Sequence, residues 1–473
     1  MVYFRSFVDV VNAFFFVYMM LYAVFLFVSV IIAAMVIEER ARRIFFYDRN
    51  SLKSELNYVP LSVLIPAYNE ALVIVDNVKS LLRSDYHAFE IIVIDDGSSD
   101  GTCEAMIEAF DLQKIDRPLH NILPTKPAIA IYESVDTEIP IVLVQKENGG
   151  KADSLNMGIN VSSYPYFLGL DADSVVQEDT LRNLMESVIR NKHVVACGGM
   201  VQIANEAVIV DGKIQEHKFP KNLLVRFQLL EYSRTFLGSR LFLDTFNGNM
   251  IISGACGLFK KDLVVQLGGY DTNIIGEDME LSVRLHAYCQ ANHIKYRMVY
   301  NPNAICWTQV PENLEQLHKQ RRRWHLGLIQ SLLKYKNVLF NVKYGLMGCV
   351  SMVYYLIFEA LSPFIEFIGL IFIITAGLLG SLNFSFWISY YLLFLAFSIL
   401  VTITSFLSRM YVFSAKISAW QGFSIIIFSF LECLIFRPFV TLCRMSAFVN
   451  YKKNKQVWGD MKRKEHNHQM TSI

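Results

Sequence analysis

The chain has 473 residues with 44 Lys and Arg against 43 Asp and Glu, a formal charge of +1, 53% hydrophobic residues and 18% charged ones. A mean hydropathy of +0.33 with so few charges is too apolar for an ordinary soluble domain, whose charged share is roughly 25%, and it excludes disorder. The near-neutral balance excludes a nucleic-acid binder that works through overall positive charge, and eight cysteines with no CxxC pair and no Cys/His cluster argue against a disulfide scaffold or structural zinc and suit a reducing compartment.

In chain order, the first element is a membrane helix. From Val10 to Ile37 there is no charge, and 28 such positions make a helix of ~42 Å, longer than a ~30 Å hydrocarbon core. Arg40, Arg42 and Arg43 follow it, against a lone Arg5 before it. The positive-inside rule then puts the N-terminus outside and the next domain in the cytoplasm. This first unit is assigned to residues 1–37.

Residues 50–343 change to an alternation of short apolar runs with amphipathic stretches. Leu61–Ile65, Glu90–Ile94, Ile141–Val144 and Tyr166–Leu170 read as buried strands, and 71–83 and 151–161 as helices. Strand, helix, strand repeated in this way predicts a mostly parallel α/β sheet, with ligands collecting at the carboxyl ends of the strands.

Between Gly345 and Ser408 only Glu359 and Glu366 are charged, so 345–379 and 384–407 read as two membrane segments within a unit 345–408. The remaining unit, 409–473, is basic at Arg409, Lys416, Arg437, Arg444, Lys452, Lys453, Lys455 and Lys462–Lys464, which asks for the cytoplasmic side. A full crossing by Trp420–Phe436 would carry that tail outside. It is therefore read as interfacial or re-entrant; a split of 345–379 at Pro363 is the alternative that restores parity.

Polar clusters sit where the predicted strands end. Pro66-Ala67-Tyr68-Asn69-Glu70 and Asp95-Asp96-Gly97-Ser98 can meet a nucleoside, since a carboxylate there accepts hydrogen bonds from an imide or ribose hydroxyl; each is equally readable as a turn with a helix cap. Asp171-Ala172-Asp173 offers two carboxylates to one hard divalent cation whose other ligands are diphosphate and water, or is a solvated acidic loop. Lys151, after Gly149-Gly150 at a helix start, suits an anionic group or is a surface charge. Asp278 in Gly276-Glu277-Asp278 opens a helix and can act as a general base or merely favour the helix dipole. Gln320-Arg321-Arg322-Arg323-Trp324 precedes the membrane segments and by itself reads as a headgroup anchor.

Taken in this order the motifs closely resemble the membrane-embedded, processive family 2 glycosyltransferases, the group of cellulose, hyaluronan and poly-N-acetylglucosamine synthases. Asn148-Gly149-Gly150-Lys151-Ala152 and Cys306–Glu312 look most like the poly-β-1,6-N-acetylglucosamine synthase-like branch. The resemblance implies a cytoplasmic GT-A α/β domain flanked by transmembrane helices. It places Pro66, Tyr68, Asn69, Glu70, Asp95, Asp96, Lys151 and Asp171 at a UDP-sugar donor, and Asp171 and Asp173 on Mg²⁺ or Mn²⁺. It makes Asp278 the base and sets Ser253, Gly254, Gln320, Arg323 and Trp324 at the acceptor and diphosphate. Gly276 departs from the Thr common in that motif, and no cyclic-dinucleotide-binding domain follows.

The implied activity is an inverting, processive transfer that builds a β-linked extracellular polysaccharide from a UDP-sugar and assists its passage through the bilayer. The implied partners are the donor, the growing polysaccharide, the lipid bilayer and export or accessory proteins; nothing calls for nucleic acid. Glu359 and Glu366 are intramembrane carboxylates expected to line the path or an interface. Two rivals stand beside this reading: a non-processive enzyme adding one sugar to a membrane lipid, and a catalytically silent translocation subunit.

Overall fold

The computed structural model describes residues 2–46, 59–118, 121–135, 137–210, 212–217, 219–412 and 419–448. Lys416 and the tail cations from Lys452 to Lys464 lie outside the described residues. The strands are β1 (Leu61–Ala67), β2 (Phe89–Asp95), β3 (Leu112–Ile115), β4 (Ala128–Ser134), β5 (Ile141–Lys146), β6 (Tyr166–Gly169), β7 (Val175–Val176), β8 (Val194–Ile203), β9 (Ala207–Val210), β10 (Lys213–His217), β11 (Gly257–Lys260) and β12 (Arg297–Thr308). All but β9 and β10, which pair with each other, form one sheet in the order β3-β4-β5-β2-β1-β6-β11-β8-β12-β7.

The expected parallel core is the segment β5-β2-β1-β6. Every residue of β1 and β2 is buried, because helices cover both faces, and such strands read as unbroken apolar runs. Helix Ile74–Leu82 links β1 to β2, and helix Lys151–Val161 links β5 to β6. On both sides of this core the sheet departs from the expectation: β4 pairs antiparallel with β5 and with β3, and β11 runs antiparallel between β6 and β8. The four residues of β11 are too few to carry a period. In this register Gly257 at the start of β11 pairs with Gly169 at the end of β6. The loop before β11 and the loop after β6 are thereby delivered to one place.

Among the described residues three helices are long and apolar enough to cross a bilayer, Ser6–Arg40, Phe384–Val412 and Trp420–Phe448, and Met347–Ala360 with Ser362–Leu378 form a pair bent by 46°. The bend breaks the stretch that the sequence reading runs through as one segment. It falls at Leu361, just before Pro363 in the first turn of the second half, where a missing N–H costs nothing. Phe15 stacks near Phe372 at 6.3 Å, Phe16 lies 5.3 Å from Tyr390 and Phe27 6.1 Å from Phe397, so Ser362–Leu378 and Phe384–Val412 flank the first helix.

Helix Trp420–Phe448 packs both on these helices, Arg437 donating to Ser398 Oγ at 3.1 Å and Thr441 to Glu366 at 2.9 Å, and on the helices of the sheet domain. Arg226 of helix Leu223–Arg234 lies 4.8 Å from the Phe428 ring, Phe227 lies 5.3 Å from Phe436, and His318 is 2.6 Å from Ser446 Oγ. The strongest tie is Glu432, fully buried, which accepts from both guanidinium ends of Arg234 at 3.0 and 3.1 Å and from Arg437 Nε at 3.1 Å. Glu432→Ala leaves two partly buried guanidinium groups without their carboxylate, and removing one partner of a buried pair costs up to roughly 3–5 kcal/mol. A clear fall in the melting temperature of the detergent-solubilised protein is expected, with Glu432→Gln intermediate; an unchanged melting temperature for Glu432→Ala refutes the pairing.

Candidate active site

The loops after β1 and β2 are stitched together. Asn69, held at φ 56°, donates its N–H to Ser98 Oγ at 2.9 Å and accepts from Ser99 N at 2.9 Å, while Glu70 N donates to Thr102 Oγ1 at 2.9 Å. Asp100 closes the same turn by accepting from Ala71 N and from Thr102. Ser98–Thr102 thus serve as the turn former that the simpler sequence reading describes. The turn presents Pro66, Tyr68, Asn69 and Glu70 to the cavity.

Asp95 and Asp96 lie beneath that floor, both with no exposure. Asp96 accepts from Lys146 Nζ at 2.6 Å, Gly149 N at 3.0 Å and Gly150 N at 2.8 Å. Its oxygens are consumed inside the protein, and neither it nor Asp95 is among the cavity-lining residues, where the sequence reading sets both. Asp95 accepts from Ser98 N at 3.2 Å and keeps Oδ2 buried without a partner; burial raises its pKa against the hydrogen bonds from Ser98.

Around Lys151 the acidic motifs meet. Its Nζ lies 2.5 Å from Asp171 Oδ1 and 3.2 Å from Glu277 Oε1. Burial opposes its charge, but Asp171, Glu277 and Asp278 outweigh burial and hold the ammonium protonated above the ordinary lysine value. Asp278 Oδ2 accepts from Gly254 N at 3.0 Å and Oδ1 from Met279 N at 2.8 Å, which fixes the carboxylate at the helix start. A Cβ at Gly254 would stand 2.8 Å from Lys151 Nζ, so a side chain there would push the ammonium aside. Asp173 accepts from Thr308 Oγ1 at 3.2 Å, and Asn77 Nδ2 pins the turn between them by donating to the carbonyls of Asp171 and Ser174 at 2.8 and 2.6 Å.

Helix Leu314–Lys334 supplies the opposite wall. Arg321 is buried and pairs with both oxygens of Glu231 at 3.0 and 2.6 Å, and its guanidinium lies 4.6 Å from the Trp324 ring. Arg323, Gln320 and a 43% exposed Trp324 line the cavity. The headgroup-anchor reading therefore fails for Arg321 and Arg323, which face protein and cavity. Gly276, the departure from Thr, also has a cause: a Cβ there would meet Gly327 Cα at 3.0 Å, so this wall and the Asp278 helix touch backbone to backbone.

The fold thus brings Pro66, Tyr68, Asn69, Glu70, Lys151, Asp171, Asp173, Ser253, Gly254, Asp278, Gln320, Arg323 and Trp324 to one cavity of ≈ 1710 Å³. The cavity continues between the apolar helices, past Tyr22, Tyr354, Phe358, Glu359, Glu432 and Arg444. Sequence reasoning missed Lys146 and Asp153, which pair at 2.7 Å beneath the floor; the available signal is a lysine closing the apolar run of β5. It also passed over Glu277, whose neighbour Asp278 it singled out.

A divalent cation fits only part of this donor set. Among the described residues no three His, Cys, Asp or Glu side chains gather to cage an ion. Asp171 and Asp173 on one turn are the pair that can offer a Mg²⁺-type ion one or two carboxylates, with substrate phosphates completing the shell.

The chain belongs to glycosyl transferase family group 2, whose model matches residues 166–436; the glycosyl transferase family 2 model matches residues 62–121. It is 33% identical over 300 residues to a poly-beta-1,6-N-acetyl-D-glucosamine synthase of Staphylococcus aureus (strain COL), covering 62% of each chain. To the synthase of the same name from Staphylococcus epidermidis it is 33% identical over 290 residues, 61% of this chain and 60% of that one. The match thus spans under two thirds of these relatives. A mannosyltransferase from Pyrobaculum calidifontis, solved with GDP-Man and Mn²⁺, superposes with a TM-score of 0.54 at 17% identity over 92% of this chain and 99% of that one, and so shares the fold. The sheet domain is GT-A-like.

Burial pushes the Glu277 carboxyl above its ordinary range, and Asp278 adds to this while Lys151 and Arg323 oppose it. A raised folded pKa means that the folded state binds more protons than the unfolded chain between the two values, so stability falls as pH rises through that window. Glu277→Gln has no carboxyl to titrate there. Denaturation as the pH rises above the ordinary glutamate value of about 4 is expected to show wild type losing stability relative to the variant; a pH-independent difference contradicts the shift.

Proposed function

We propose that this chain is an inverting, processive membrane glycosyltransferase that draws a UDP-sugar from the cytoplasm, extends a β-linked extracellular polysaccharide and assists its passage outward. The observation that carries the proposal is the single cavity joining the carboxylate cluster to the interior of the helices. A polymer cannot cross hydrocarbon unaided because its hydroxyls would lose their water, and a protein-lined path from the site of synthesis meets that need. The names of the similar synthases nominate N-acetylglucosamine as the sugar.

In this reading the nucleoside rests on the Tyr68–Glu70 turn, with Asp95 the carboxylate of its pair left for it. Asp171 and Asp173 hold Mg²⁺ or Mn²⁺, which supplies charge neutralisation on the diphosphate when bound. Arg323 faces the departing UDP, and the exposed indole of Trp324 offers an apolar face to the acceptor ring. The acceptor hydroxyl attacks the anomeric carbon, its proton passes to the Asp278 carboxylate, and the bond to UDP breaks. One displacement inverts the anomer, so an α-linked donor gives a β-linked product. Asp278 works by position, being fixed by Gly254 N and Met279 N.

The proposed topology puts the N-terminus outside and the sheet domain in the cytoplasm. Ser362–Leu378 and Phe384–Val412 cross beside the first helix, and Trp420–Phe448 lies at the cytoplasmic interface on the helices of the sheet domain. A neutral acceptor is favoured over a lipid phosphate. Arg234 and Arg437 are occupied by Glu432, and Arg444 by Glu359 at 3.2 Å.

Purified protein in lipid vesicles with Mg²⁺ or Mn²⁺ is to be given UDP-sugars one at a time, with UDP release and product size recorded. A high-molecular-weight product from one donor is expected, and none from Asp278→Asn despite an unchanged melting temperature. UDP release with only a small lipid-linked product overturns processivity; normal polymer from Asp278→Asn removes that residue as base.

A further inference from the structure

The acidic face of the cavity gathers Asp171, Asp173, Glu277 and Asp278 from two separate elements. Four carboxylates at such range repel one another and would attract any free divalent ion. What stands among them is Lys151. Its Nζ bridges Asp171 Oδ1 and Glu277 Oε1 at 2.5 and 3.2 Å, in space kept open by the missing Cβ of Gly254. The side chain issues from the first residue of helix Lys151–Val161, whose preceding Gly149 and Gly150 are pinned by Asp96, so the ammonium is placed by the fold.

An ammonium hydrogen-bonded to one carboxylate oxygen and a divalent ion bound to the same oxygen at about 2.1 Å cannot coexist without strong like-charge repulsion. We propose that Lys151 is a built-in monovalent cation that occupies the metal side of Asp171 and keeps the site closed to free divalent ions until the donor arrives. The diphosphate of the nucleotide sugar offers the ammonium a replacement anion. Lys151 then leaves Asp171 for a phosphate oxygen, and the vacated carboxylate joins Asp173 on the ion. Metal and donor consequently enter together, and an ion without nucleotide gains little. The inference rests on the reading of Asp171 and Asp173 as the metal-side carboxylates.

The test measures Mn²⁺ binding to the full-length protein in detergent without nucleotide, by the loss of the free Mn²⁺ resonance signal. Lys151→Met is expected to bind Mn²⁺ at least about tenfold tighter than wild type, and Lys151→Arg, which keeps the charge, to stay as weak as wild type. Lys151→Gln repeats the neutral substitution in case Met disturbs folding, with the melting temperature of each variant as control. Adding UDP is expected to tighten Mn²⁺ binding strongly in wild type and less in Lys151→Met. Equal or weaker Mn²⁺ binding by both neutral variants overturns the proposal. Asp173→Asn in the Lys151→Met background separates the two layers. Loss of the gained affinity places the ion at this turn and supports the proposal, whereas an unchanged affinity shows that the ion binds elsewhere and overturns the metal reading together with it.

Discussion

The site depends on one buried carboxylate that never faces the cavity. Asp96, at the end of β2, gathers Lys146 Nζ from the end of β5 and the N–H groups of Gly149 and Gly150 from the loop beyond it. Taking a carboxylate and an ammonium out of water costs several kcal/mol for each ion, and the cost is offset only when geometry and further hydrogen bonds satisfy both. Here Lys146 shares itself with Asp153 at 2.7 Å, and Asp153 in turn accepts from Lys126 N. The lattice of charges ties two parallel strands to the start of helix Lys151–Val161. Lys151 can be aimed at Asp171 and Glu277 because the residue before it is held by Asp96.

A second constraint is the direction of β11. Parallel strands alone would bring only the loops after β1, β2, β5 and β6 to one edge. Because β11 runs antiparallel and Gly257 pairs with Gly169, the loop that precedes it arrives there too. Gly254 then meets Lys151 and donates to Asp278. The close approach of Gly276 to Gly327 seats helix Leu314–Lys334 against the start of the Asp278 helix, and with it Arg323 and Trp324. Site geometry is thus set by register and by two glycine contacts, and the flexible side chains adjust to them.

These two constraints explain what could be read in advance. Strands β1, β2, β5 and β6 were legible because burial on both faces leaves an unbroken apolar run, and helix Lys151–Val161 was legible from the glycines before it. The carboxylates of the cavity were legible as motifs at strand ends. Asp96 was not separable from Asp95, since adjacent acids look alike until one of them meets a lysine fifty residues on. Glu277 was overshadowed by its neighbour, because a contact with Lys151 leaves no local trace. The antiparallel β11 has four residues and no period, and the bend at Leu361, which the sequence offers only as the alternative split at Pro363, competes with an apolar run that continues on both sides of it.

The cavity changes character along its length, and the change is one of dielectric. Near the sheet it is lined by carboxylates, an ammonium and an arginine, groups suited to a charged nucleotide. Between the helices it is lined by aromatic rings and by ions that are already matched, Glu432 with Arg234 and Arg437, and Glu359 with Arg444 and the hydroxyl of Tyr354. A matched pair presents dipoles and spare lone pairs but little net field, so a neutral hydroxylated chain can exchange hydrogen bonds with it, whereas a free anion would have to displace the carboxylate already there. Discrimination on the proposed pathway would therefore be made by charge. On that proposal the nucleotide would be held where cations are available, and the sugar chain it leaves behind would be the species that the inner wall can solvate.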